Sequence, residues 1–201
     1  MDILILAMFA TTGIWLLRSA WQRKRIALLG RYLGEYQIEK LMESLTAGYL
    51  RALGESDPER RAQIWNLMAS TEAKLSDQFA SFAADFSKVD AAQARVSTLA
   101  MAIPYADKLF PGATFDLRKV LAIHAQGITR AASDNPDQTA KSRAFTLSAE
   151  LFLMQHSCHW FCKSKTVASA RLLVRHKTPY AQLLQSVAPE TARAYLAVAG
   201  N

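Results

Sequence analysis

Two histidines and two cysteines fall within seven residues, His156-Ser157-Cys158-His159-Trp160-Phe161-Cys162. Imidazole and thiolate are zinc ligands, and histidine also ligates haem iron, so this string holds the side chains best suited to metal chemistry. Helical spacing works against that use. At 3.6 residues per turn, Cys158, Phe161 and Cys162 continue an apolar stripe that begins with Ala144, Leu147, Leu151 and Met154. His159 falls at the margin of the stripe and His156 outside it. The four side chains therefore do not converge, whereas zinc needs four tetrahedral ligands, or three and a water. Cys158, His159 and Cys162 supply three only if the helix breaks. The string is read as core helix with two structural thiols and no metal or other cofactor. A metal- or haem-binding protein or enzyme using His156–Cys162 is the alternative.

Other catalytic chemistry has little support. His124 sits on an apolar stripe with Leu117, Leu121 and Ile128, where a hydrogen-bonded core histidine is expected. The chain has no Gly-x-Ser-x-Gly, phosphate loop, Gly-x-Gly-x-x-Gly or His-Glu-x-x-His. Two cysteines are too few for a disulfide scaffold, and free thiols fit a reducing compartment.

Charge offers binding rather than catalysis. The net charge is +7, of which residues 101–201, with 12 Lys/Arg and 6 Asp/Glu, contribute +6. Between Glu150 and Glu190 there is no acid, while Lys163, Lys165, Arg171, Arg175 and Lys177 fall in that window. These five are candidates for contact with an anionic surface: lipid headgroups, an acidic protein or nucleic acid. No aromatic alternates with them, so a stacking platform for single-stranded nucleic acid is unsupported. A solvated basic face is the plain reading.

A second basic cluster follows the most apolar stretch of the chain. Ile3–Leu17 is 15 residues without a charge. As helix it spans about 22 Å, and continuing to Trp21 brings it to about 28 Å, close to the roughly 30 Å hydrocarbon core. Trp15 and Trp21 suit the membrane interface, and Arg18, Arg23, Lys24 and Arg25 suit the headgroups beyond it. A cleaved signal peptide would place its charge before the run, but here the chain starts Met1-Asp2. A buried core helix is possible for so short a run. A single membrane anchor fits best, and the positive flank puts the carboxyl side in the cytoplasm and the amino terminus outside.

The elements that must position these groups read as helices throughout; no alternating run supports a strand. The anchor, residues 1–25 with its basic flank, is expected to continue unbroken to about Leu53, with Ile38, Leu41, Leu45, Tyr49 and Ala52 as its inward stripe. Gly30 and Gly34 would admit a second helix, though an incidental pair is the better reading. Gly54 is expected to close that helix in the left-handed conformation. Asp57-Pro58 opens a second helix to Phe86, with Ile64, Met68, Leu75, Phe79, Phe82 and Phe86 inward. Asp90 should cap a third helix over Ala91–Met101, before a short turn over Tyr105–Phe110. Asp116 caps a fourth, Leu117–Ala132, and Ser133–Asp137 is loop. A long helix over Gln138–Ser164, with room to continue to His176, precedes two short ones opened by Pro179 and Pro189. The expected fold is all-α: an N-terminal anchor helix followed by a bundle of six to eight helices forming a single domain over 26–201.

The expected function is that of a membrane-tethered, non-catalytic scaffold or adaptor facing the cytoplasm, with a protein partner and anionic lipid as its contacts. The metal, haem or enzyme reading is the first alternative, and nucleic-acid binding through residues 163–177 the second.

Overall fold

Side chains set four of the helix starts among the described residues. Asp57 accepts from the backbone N–H groups of Glu59 (2.8 Å) and Arg60 (3.2 Å), with Pro58 in the first turn. Asp116, Thr139 and Ser164 accept from Arg118, Ser142 and Val167 in the same way. Each satisfies donors that the first turn of a helix leaves open. The computed structural model describes residues 2–200 apart from 134 and 136, without the Asp2 side chain. Met1 and part of the expected Ser133–Asp137 loop lie outside the described residues.

The elements are α1 (Asp2–Leu33), α2 (Ile38–Gly54), α3 (Pro58–Phe86), β1 (Arg95–Ser97), α4 (Ala106–Leu109), β2 (Thr114–Asp116), α5 (Leu117–Ala132), α6 (Ala140–Cys162), α7 (Lys165–His176), α8 (Tyr180–Ser186) and α9 (Pro189–Ala199). The fold is an all-α bundle in which eight helices follow α1 among the described residues. α5 is central, packed on α3, α6 and α9. Its stripe Leu117, Leu121, His124 and Ile128 is fully buried. The α3 stripe is buried from Met68 to Phe86 and only partly buried at Ile64. Phe86 meets Tyr32 of α1 at 5.5 Å and Phe161 of α6 at 6.2 Å, both edge-on, an arrangement favoured by the ring quadrupole.

Three expectations are corrected. The first helix does not run to Leu53 but breaks over residues 34–37. Gly34 N–H bonds the Gly30 carbonyl, Tyr36 OH reaches Asp85 (2.6 Å), and Gln37 N–H reaches the Gln78 side chain (2.7 Å). A Cβ at Gly34 would lie 2.9 Å from that Gly30 carbonyl, which is why glycine sits at the break; nothing approaches Gly30 itself. Gly54 does not take the left-handed conformation, because no described glycine has positive φ. The helix expected over Ala91–Met101 is instead a turn capped by Asp90, then β1, which pairs antiparallel with β2 in the register Val96↔Phe115. Three-residue strands are too short for a period, and their partners lie far apart in sequence. They form because Val96 and Phe115 are buried together and Phe115 packs edge-on against Trp160 at 4.9 Å. The long helix expected over Gln138–Ser164 runs from Ala140 to Cys162 and does not continue to His176. Lys163 leaves helical geometry, and buried Ser164, in extended conformation, caps α7.

Candidate functional site

The break at Lys163-Ser164 folds α7 back along α6. Lys165 Nζ lies 4.9 Å from the Trp160 ring, Ser169 Oγ lies 3.0 Å from His156 Nε2, and His176 stacks on Phe152 at 3.7 Å. α6 in turn runs antiparallel to α1. Lys163 Nζ donates to the Gln22 side chain (3.0 Å), Arg25 donates to the Phe161 carbonyl (2.9 Å), and Leu29 shares a groove wall with Cys158. The C-terminal end of α6 and the start of α7 thus lie toward the apolar half of α1.

That half of α1 stands clear of the bundle. Of Ile3–Leu33, long and apolar enough to cross a membrane, the most apolar stretch has no residue buried. Ile3, Leu4, Phe9 and Trp15 are largely exposed. Packing begins at Trp21 and Gln22. Arg25, expected at the headgroups with Arg18, Arg23 and Lys24, is instead buried. Its guanidinium lies 4.1 Å from the Trp21 ring and 4.4 Å from the Phe161 ring, and it also donates to the Arg95 carbonyl of β1. A cation held by carbonyls and aromatic faces clamps α1 to α6 and β1. Arg23 and Lys24 are exposed, and Arg18 is partly so.

The His156–Cys162 string divides as its helical spacing requires. Cys158 is buried with its Sγ 3.9 Å from Met154 Sδ, and Cys162 is partly buried; both are free thiols. Burial holds the Cys158 thiol well above its usual range and pushes Cys162 up to about 11. His156 points away from them, stacked on Tyr180 at 4.5 Å. His159 faces the α7 groove with Arg171 and Arg175. Among the described residues no group of three His, Cys, Asp or Glu side chains is placed to hold a metal. Both cysteines should react slowly in the folded chain, Cys162 before Cys158, because nucleophilicity follows thiolate population and access. Timed alkylation read by mass spectrometry checks this; equal labelling of Cys158 and an unfolded control would refute it.

Two buried serine–histidine contacts deserve comparison with nucleophile–base pairs. His124 Nε2 lies 2.8 Å from Ser157 Oγ, but that hydroxyl donates to the Leu153 carbonyl (3.0 Å). The histidine must therefore be the donor, which makes Ser157 an acceptor rather than an activated nucleophile. Both His124 and Ser157 are fully buried. His156 likewise is almost fully enclosed. Burial lowers both imidazoles to about 3.

The five basic residues of the 163–177 window do not act as one patch. Lys163 sits at the α1 junction, whereas Lys165 lies over the Trp160 and Tyr180 rings. Arg171 and Arg175 line a groove of about 490 Å³ between α6 and α7, with His159 and His176. Lys177 closes α7 in the left-handed conformation. The groove shares Phe152, Gln155 and His159 with a larger one of about 900 Å³, whose far wall is α2 with Glu39, Met42, Glu43 and Leu50. It continues into an apolar hollow of about 280 Å³ beside Leu53, Trp65 and Phe145. Together they make one long trough across the outer face of α6, cationic at the α7 end. Sequence reasoning missed the α2 wall. Leu50 and Leu53 flank the buried stripe, and their exposure was the one available signal.

The fold and this surface define a helical bundle carrying an apolar N-terminal helix. Comparison with known proteins finds no family model, curated protein or solved structure that matches the chain.

Proposed function

We propose that the protein is a single-pass, membrane-tethered adaptor that holds another protein in the trough beside α7. The observation that carries the reading is the bare apolar half of α1, joined directly to a bundle that presents a long half-apolar trough. Water leaves so long an apolar helix face strongly unfavourable, at about 25 cal/mol per Å². A bilayer covers it without any other change. The exposed cations Arg23 and Lys24 on its carboxyl side support an orientation with the bundle in the cytoplasm and the amino terminus outside.

Distance divides the basic residues between two partners. A lysine or arginine near an anionic bilayer contributes about 1 kcal/mol, but the field decays over about 8 Å at physiological ionic strength. Lys163, beside Gln22, falls within that range. Arg175 lies ten residues further along α7 from Lys165, about 15 Å, where little of the attraction remains. Arg171 and Arg175 therefore serve the trough, and suit an acidic amphipathic segment whose apolar side meets Phe152, Leu50 and Phe145.

The full chain should resist carbonate extraction from membranes, with its bundle protected from protease on the outer side. Arg171→Glu with Arg175→Glu should lose a cross-linked protein partner while staying membrane-bound. Extraction by carbonate, or an unchanged cross-linking pattern in the double variant, would each count against the assignment.

A further inference from the structure

The segment joining β1 to β2 is the most apolar exposed part of the bundle. Met101 is 67% exposed, Leu109 62%, Tyr105 52% and Phe110 48%, with Lys108 exposed among them. Four large apolar side chains within ten residues form a cluster rather than scattered exposure. The segment is nonetheless built. Tyr105 holds a left-handed backbone (φ 58°), a conformation unfavourable for a large side chain, and this turn opens α4. Phe110 N–H closes α4 on the Ala106 carbonyl at 2.7 Å.

Its position is also fixed. Thr166, in the first turn of α7, donates through its hydroxyl to the Ala100 carbonyl at 2.8 Å. Trp160 Nε1 donates to the Ser97 carbonyl at 2.8 Å. The Asp107 carboxylate acts on the Arg25 guanidinium, and Arg25 also bonds the Arg95 carbonyl. Residues 160–166 and Arg25 are the end of the bundle from which the bare half of α1 projects. The apolar segment therefore lies at the end of the bundle from which α1 exits, with Lys108 exposed within it and Lys163 at the α1 junction.

We propose that residues 101–110 are a second membrane contact, dipping Met101, Tyr105, Leu109 and Phe110 into the headgroup–acyl boundary of an anionic bilayer. The inference rests on the anchor reading given above. Its place at the end of the bundle from which the bare apolar half of α1 projects identifies lipid as the occupant, and Lys108 and Lys163 supply charge of the matching sign. Aromatic rings with a polar or cationic neighbour suit that boundary, and an apolar face buries there by about 5–10 Å. Two contacts from one end fix the rotation of the bundle about α1, which a single anchor leaves free.

The test uses the full chain in vesicles of phosphatidylcholine and phosphatidylglycerol. A Leu109→Cys variant with Cys162→Ser is labelled with an environment-sensitive fluorophore; Leu67→Cys, 64% exposed on α3, is the matched control. Retained helical circular dichroism checks that both variants fold. Blue-shifted emission at position 109, quenched by lipids spin-labelled high in the acyl chain, is the expected result, with neither effect at position 67. Emission at 109 as red and as unquenched as at 67, from protein that still resists carbonate, overturns the second contact and leaves the anchor standing. A blue shift without lipid quenching means that protein covers the segment and also overturns it. Protein released by carbonate overturns both.

Discussion

Replacing Arg143 with Met should destabilise the bundle by about 3–5 kcal/mol, the cost typical of removing one partner from a buried ion pair. Glu72 of α3 is 1% exposed. It accepts from Tyr49 OH of α2 (2.6 Å) and from Arg143 Nε of α6 (3.1 Å), so one carboxylate ties three helices. Burial, with the hydrogen bond to Glu72, holds the Tyr49 phenol far above its ordinary range, leaving it a neutral donor. Loss of the guanidinium leaves a buried carboxylate with one phenol for support. Thermal unfolding in mild detergent should move down by roughly 10 °C for a chain of this size. Glu72→Gln combined with Arg143→Met should recover much of the loss, because no charge is then stranded. A loss below about 1 kcal/mol in the single variant, the level of an exposed pair, would show that the pair is not a buried tie.

Acid should destabilise the protein before ordinary carboxylates titrate. His124 and His156 hold pKa values near 3 because burial disfavours the imidazolium, whereas an unfolded histidine titrates near 6.5. The unfolded chain thus binds protons that the folded chain refuses. Stability is intact above about pH 6.5 and falls as pH drops from there toward 3. Each histidine costs about 2 kcal/mol at pH 5, roughly 4 together, a large part of a net stability of about 5–15. Glu150 works in the opposite sense. Its carboxyl is buried, accepts from Ala188 N–H (3.0 Å), and fills a notch where a Cβ on Gly127 would come within 2.5 Å. Burial raises its pKa, so the folded chain takes up that proton first and regains part of the loss at lower pH. Urea unfolding at pH 7.5 and pH 5 measures the difference. His156→Phe, which keeps a ring between Tyr180 and Trp160, should reduce the slope between pH 5 and 6 by about 1.4 kcal/mol per pH unit. An unchanged slope would mean that His156 is protonated in the fold.

Periodicity carried much of this architecture. The α5 stripe, the α2 stripe from Ile38 to Ala52 and the α3 aromatics are inward-facing as spacing requires, because burial over several turns writes itself into composition. Caps with a free carboxylate or hydroxyl, such as Asp57 and Asp116, were legible for the same local reason. The failures were non-local. β1 and β2 exist only by pairing residues about twenty apart in the chain. The stop at Gly34 depends on contacts with α3, which do not alter the helical pattern. Arg25 looked like its neighbours Arg23 and Lys24; only the carbonyls of Arg95 and Phe161, brought from distant sequence, draw it inward. The same limit applies to the candidate site. Arg171 and Arg175 were visible as charge, but the trough they border needed α2 and α6 in place.

The clamp at Arg25 has a mechanical consequence. α1 passes from its bare segment into the core with no joint between Leu17 and Leu33, sixteen residues or about 24 Å of continuous helix. Leu29 and Leu33, on its inner half, form part of the wall of the larger groove. A tilt of the outer half by about 20°, ordinary for a membrane helix, swings the inner end by about 8 Å unless the bundle follows it. Since Arg25 and Lys163 bind the bundle to that helix, it must follow; with α1 in a bilayer as proposed above, the trough would turn with the membrane.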